Sequence, residues 1–279
     1  MVSQTTVSTI PKSGQTEDDV VVTPREVPRW VITTSSVTLV ILLWEFFGRD
    51  VNPVMGSYPS AIAVAGWELL LSGQLTKALL DSLKAFIAGF GLSVIIGVPL
   101  GLVIGRSRFL EAALGIFVTG AYAMPLVALV PFLVMWMGLG FLVKASVVFL
   151  MSVFPIIINT WLGVRAVPKT LIEVGQSFVA SDFTILRRIV LPATIPYIMA
   201  GIKLSVGRGV VAMIIAEFFT AISGLGGIII NSANNFDTAR MFVPVFVLMI
   251  LATALNSFVG WVERRVAPWQ TEMAGREEG

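Results

Sequence analysis

Long apolar runs alternate with short polar ones along this chain. Runs near 20 residues, the length a helix needs to cross roughly 30 Å of hydrocarbon, fall at 30–48, 84–105, 109–137, 141–165, 194–220 and 242–263. They predict six membrane-spanning helices. The third run is long and holds Pro125 and Pro131, so it is expected to kink or to end in a short separate helix. Pro99 and Pro155 are expected kinks within their own spans. Small residues recur every four positions: Gly89, Ser93, Gly97, Gly101 and Gly105 in the second span, Gly201, Ser205 and Gly209 in the fifth, Ala252, Asn256 and Gly260 in the sixth. Lipid gives helices no hydrophobic reason to associate, so close backbone approach at small residues is the expected packing device.

The polar stretches divide the chain further. Residues 1–29 carry Pro11, Pro24 and Pro28, no helical period, and no short apolar core before a small-residue cleavage site. They read as a disordered tail that stays on the chain. Residues 30–266 form the membrane domain, and 267–279 a second tail. Within the domain one polar segment stands out, "KTLIEVGQSFVASDFTILRRIVLP", residues 169–192 of a loop at 166–193. Pro168 suits a helix start, and Leu171, Val174 and Phe178 recur at helical spacing. Ser181 is a plausible N-cap with Asp182 at the positive end of a second helix. Two short helices with a turn near 179–181 are predicted. Most connections run about 2–8 residues, so a loop of this length points to function.

Composition confirms the membrane reading. Hydrophobic residues make up 56% and charged residues 13%, about half the charged share of a soluble domain. The fold class is all-α, with its surface toward a lipid bilayer. A net charge of +2 with scattered basic residues gives no footprint for nucleic acid. With no cysteine and no histidine, thiol catalysis, His-based triads and Cys/His metal sites are excluded. Lys203 and Ser205 stand two apart on a helix and point away from each other, so they form no catalytic pair. No G-x-x-x-x-G-K-[ST] phosphate cradle is present; ATP, if used, is bound by another chain, and no cofactor is expected on this one.

Counting Lys and Arg sets the orientation. With the N-terminus inside, Lys12, Arg25, Arg29, Arg106, Arg108, Arg165, Lys169, Arg187, Arg188, Arg264, Arg265 and Arg276 lie inside, against Arg49, Lys77, Lys84, Lys144 and Arg240 outside: 12 against 5. The positive-inside rule puts both termini and residues 166–193 in the cytoplasm.

"EVGQSFVASDFTILRRIVLP" resembles the cytoplasmic loop of ABC-importer permeases, whose pattern is E-A-A, three residues, G, nine residues, I-x-L-P. Glu173, Ile189, Leu191 and Pro192 fall on it in register. "DSLKAFIAGFGLSVIIGVPLGLVIGRSRFLE", "MPLVALVPFLVMWMGLG", "AEFFTAISGLGGIIINSA" and "WVERRVAPW" are similar to the nitrate, sulfonate, taurine and bicarbonate branch, from about Tyr58 to Trp269. The resemblance implies a type I importer-permease fold in a bacterial inner membrane, with residues 169–192 as a coupling helix. Glu173, Gly175, Val179, Ala180, Ser181, Asp182, Ile189, Leu191 and Pro192 would then meet an ATP-hydrolysing subunit. Two such subunits carrying ATP and Mg, a second permease chain, identical or different, and an extracytoplasmic solute-binding protein are the implied partners. The implied function is half of a translocation pathway for a small, anionic solute; the alternative is an ion- or proton-coupled secondary transporter or a channel.

Two departures stand in the loop. Val174 and Gly175 replace the second and third family alanines, and Val179 replaces the family glycine. Because a β-branched residue resists a left-handed backbone, Val179 is expected to keep ordinary angles, the turn shifting toward Ala180 and Ser181. For the pathway, Arg208, Glu217, Asn159 and Tyr122 are the candidates, since ionisable groups within a span are costly. Arg208 could neutralise an anion or pair with a neighbouring helix. Glu217, nine residues on, points to the opposite helix face; the resemblance, in which an acid recurs before G-L-G, implies a structural or gating role near the outer end. Lys203 is expected to snorkel to the interface. Asn159, Thr160, Tyr122 and Asn256 suit helix–helix hydrogen bonds.

Overall fold

The computed structural model describes residues 28–220 and 223–268. Most of the two expected tails therefore lies outside the described residues. The chain divides into two compact units, Met1–Leu42 and Leu43–Gly279. The described part of the first is the beginning of helix α1 (Arg29–Gly48), which runs on into the second.

The second unit continues with α2 (Pro59–Leu71), α3 (Gln74–Arg106), α4 (Arg108–Ala123), a 3₁₀ turn (Leu126–Leu129), α5 (Val130–Met137) and α6 (Phe141–Ala166). Then come α7 (Lys169–Ser177), α8 (Asp182–Ile185), a π segment (Leu186–Val190), α9 (Leu191–Thr220), α10 (Leu225–Asn234) and α11 (Thr238–Val266). By length and composition α1, α3, α6, the run Asp182–Thr220 and α11 can each cross a membrane, and the bent pair Arg108–Ala123 with Leu126–Met137 makes a sixth. That pair turns by 85°, at the expected break: Pro125 has no N–H to continue α4. Pro99 and Pro155 lie within helices that continue past them.

Several boundaries differ from expectation. α3 starts ten residues before the predicted span, since "QLTKALLDSLK" is helical although too polar to count as hydrocarbon-spanning. α8, the π segment and α9 form one continuous helical run rather than a loop followed by a span. Leu191 N–H reaches back to Leu186 O across the π segment, just before Pro192, which can donate no such bond. The helices α2 and α10 carry no span-length apolar signal and were not expected.

The small-residue stripes explain the centre of the unit. A β-carbon on Gly89 would stand 2.2 Å from Ala145 O, on Gly101 2.6 Å from Thr160 Cβ, and on Gly105 2.7 Å from Val164 Cβ, all on α6. On α9, a β-carbon at Gly201 would meet Asn159 Cβ at 2.8 Å, and Ser205 Oγ donates to Ser152 O at 2.8 Å. So α6 is sandwiched between α3 and α9, backbone against backbone. The third stripe does not pack this way: Asn256 is exposed, and Gly260 faces only the Arg264 side chain of its own helix. A stripe needs a facing helix throughout: Ala252 packs against the core, but the described residues place none against Asn256 and Gly260.

Candidate functional site

The segment between α6 and α9 forms one separate short helix, α7, while the second expected helix, α8, is the first turn of the continuous run Asp182–Thr220. Ser181 Oγ accepts from Thr184 N–H at 3.3 Å, and Asp182 sits in the first turn of α8. Asp182 also accepts from Arg106 at 2.8 Å, joining the segment to the end of α3. Gly175 is buried where the two pieces cross; a β-carbon there would lie 2.9 Å from Ile189 Cδ1. Ile185 and Val190 complete this small core with Val164 and Val167 of the preceding span, and Ile189 and Ala180 pack against it. Leu191 and Pro192 are half-buried at the entry to α9.

Val179 overturns its expectation. Its φ is +56°, in the left-handed region. The reason is the way α7 ends: Ala180 N–H donates to Gly175 O at 3.1 Å and Val179 N–H to Gln176 O at 2.8 Å. This is the paired-bond arrangement that closes a helix C-terminus and requires a left-handed residue between its donors. Here the hydrogen bonds win over the β-branched penalty, about 1–2 kcal/mol.

The apolar face of α7 points outward. Leu171 and Val174 are exposed, Phe178 and Val179 are 82% and 92% accessible, and Phe183 on α8 is 68%. Glu173 is exposed beside them, and its carboxylate has no partner among the described residues.

Within the spans, two expected pathway residues meet. Arg208 Nη2 donates to Tyr122 Oη at 2.7 Å, and its guanidinium carbon lies 4.4 Å from the Tyr122 ring centroid, a cation–π distance. Arg208 has no carboxylate partner among the described residues. Asn159 bonds along its own helix, donating to Pro155 O at 2.8 Å, and Thr160 Oγ1 is buried without a partner; neither makes the expected interhelical bond. Lys203 pairs with Glu263 near the end of α11.

Glu217 is enclosed in a network that sequence reasoning missed. Ser82 Oγ donates to it at 2.6 Å and Gly226 N–H at 2.8 Å. Lys144 Nζ stands 3.7 Å away and donates to Ser223 O at 2.7 Å. Lys144 is 3% exposed and Glu217 0%. Four helices, α3, α6, α9 and α10, are thereby joined. The signal for Lys144 was a charge inside an apolar run, hidden because it is the fourth residue of α6.

A family profile described as "Binding-protein-dependent transport system inner membrane component" matches residues 97–268. The chain is 31% identical over 248 residues to the riboflavin transport system permease protein RibX of Chloroflexus aurantiacus, spanning 86% of this chain and 91% of that one. It is 28% identical over 239 residues to the putative aliphatic sulfonates transport permease protein SsuC of Bacillus subtilis, spanning 85% and 87%. The inward-facing MetNI methionine ABC transporter aligns with a TM-score of 0.62 at 17% identity, over 70% of this chain and 97% of that chain; that likeness is one of fold.

Proposed function

The chain belongs to the family of binding-protein-dependent transport system inner membrane components, and from this premise we propose how its parts share the work of an ABC importer. It is a permease subunit with the all-α fold of importer permeases. The energy comes from two partner subunits that bind ATP and Mg and dock on residues 169–192. A binding protein delivers a small solute from the outer side, and a second permease chain, identical or related, completes the path.

The observation that carries this reading is the outward apolar face of the docking segment. Leu171, Val174, Phe178, Val179 and Phe183 are exposed together on short helices whose inner sides are packed. Burying them against a partner would add roughly 1.5–3 kcal/mol for each large side chain fully covered. Arg106, Arg108, Arg165, Arg187 and Arg188 gather in and beside this segment, which supports a cytoplasmic placement, where ATP is. By their names, the two relatives are a riboflavin permease and a putative aliphatic sulfonates permease; a small organic solute is the class common to them.

Glu173→Lys tests the docking role. The variant should insert and fold, since Glu173 is exposed, but should lose co-purification with the ATPase or solute-stimulated hydrolysis. Unchanged stimulation and uptake would remove residues 169–192 from the coupling role.

A further inference from the structure

One face of α9 is left uncovered by the rest of the described residues. Tyr197, Ala200, Leu204, Gly207, Val211 and Phe218 follow one another at helical spacing and are all exposed, while the other faces of α9 are largely buried. Arg208 sits on the edge of this face. It lies 17 residues from Leu191 and 12 from Thr220, or about 26 Å and 18 Å along the axis. Such depth is beyond snorkelling reach of either end. A charge at this depth is costly and faces a partner or a cavity.

Among the described residues the partner of Arg208 is only Tyr122. Of the five N–H donors of a guanidinium, one reaches Tyr122 Oη, and no acceptor among the described residues takes the others. Tyr122 neutralises no charge; it holds the guanidinium in place by its hydroxyl and its ring. Space beside the guanidinium is open on its own helix: a β-carbon on the neighbouring Gly207 meets nothing within 4 Å. A held, planar, uncompensated fork of donors beside open space fits two oxygens of one group, as in a bidentate carboxylate or sulfonate. A neutral solute would leave the charge uncompensated.

We propose that Arg208, positioned by Tyr122, is an oxyanion-binding group on the solute path, and that the solute is a small organic carboxylate or sulfonate. This rests on the importer reading, which supplies the path.

The test uses the full transporter, assembled with its ATPase in lipid nanodiscs. The chain has no cysteine, so Gly207→Cys introduces a single thiol beside Arg208, and Leu204→Cys, exposed one turn earlier on α9, is the second variant. Each is treated with the anionic 2-sulfonatoethyl and the cationic 2-trimethylammonioethyl methanethiosulfonates, rates being normalised to a free thiol. Two opposite charges a few ångströms from a guanidinium in a water-filled site should differ in rate by about tenfold in favour of the anion. Adding Arg208→Gln should abolish the preference. Benzoate or ethanesulfonate should slow the labelling in a manner that needs Arg208, and neutral benzamide should not.

Absence of charge preference, or labelling by neither reagent at both positions, would overturn the proposal. So would loss of permease–permease association in Arg208→Gln with unchanged labelling, which would assign Arg208 to an acid on a neighbouring chain. ATPase co-purification is measured on the cysteine-free parent, and its failure there counts against the importer reading alone.

Discussion

The carboxylate of Glu217 accepts a 2.8 Å hydrogen bond from the backbone N–H of Gly226, tying the last turns of α9 to the first turn of α10. Gly224 makes room for this: its φ is +96°, and a β-carbon there would stand 1.9 Å from the same carboxylate. With Lys144 buried 3.7 Å away, removing the acid strands a charge. Glu217→Ala should therefore destabilise the protein by about 3–5 kcal/mol. Adding Lys144→Met should recover part of that loss, because the stranded charge goes too. Thermal unfolding in detergent, followed by size-exclusion retention, measures both; a double variant no more stable than Glu217→Ala would dismiss the ion pair as the cause.

Gly89 and Gly91 share a helix but not a surface. A β-carbon on Gly89 would press on the Ala145 carbonyl, whereas one on Gly91 meets nothing within 4 Å. Gly89→Ala should cost about 1–3 kcal/mol, since backbone cannot swing aside. Gly91→Ala should be neutral or stabilising by up to about 1 kcal/mol through helix propensity. Melting temperatures of the two variants, compared side by side, decide whether the α3–α6 contact is as tight as described.

Val179→Gly removes a left-handed β-branched residue whose side chain touches almost nothing in this chain. The relief of about 1–2 kcal/mol is offset by about 0.5–1 kcal/mol of added chain entropy in the unfolded state. The isolated permease should gain no more than about 1 kcal/mol. Under the proposed docking, ATPase co-purification should weaken as an apolar contact is lost. Tighter retention of the ATPase by the glycine variant would contradict that contact.

Single cysteines at Asp182 and Asn234 test orientation, both positions being exposed. Asp182→Cys breaks only a surface ion pair with Arg106, worth about 0–1 kcal/mol. A membrane-impermeant maleimide should label position 182 only after the cells are opened, and position 234 in intact cells with a permeable outer barrier. The opposite pattern would place the docking segment on the side without ATP.

The parts of this structure legible in the sequence are those set by local pattern. Six apolar runs, the break at Pro125, and the cap at Ser181 each follow from residues within a few positions of one another. The stripes on α3 and α9 were readable because a small residue every fourth position has one use between lipid-embedded helices. The same pattern on α11 misled, since spacing cannot say whether a facing helix exists. Val179 misled for another reason: the steric preference of one residue was weighed without the two hydrogen bonds that close α7. Tyr122 and Arg208 are 86 positions apart, and Glu217 finds Ser82 across 135; no local pattern announces such meetings. Arg208 was recognisable as an unusual charge, but its partner was not.

The 85° turn between α4 and the Leu126–Met137 piece bears on where this polypeptide can exist at all. α4 covers about 24 Å from Arg108 before it breaks, short of the roughly 30 Å hydrocarbon layer. Irregular backbone at that depth is tolerated only under a covering of protein or beside water, yet Met124 and Val127 at the break are exposed in the single chain. A solitary copy is thus an unfinished object in a bilayer. Under the proposed assembly, the amount of folded permease in a cell should follow the supply of the partner subunits rather than its own rate of synthesis.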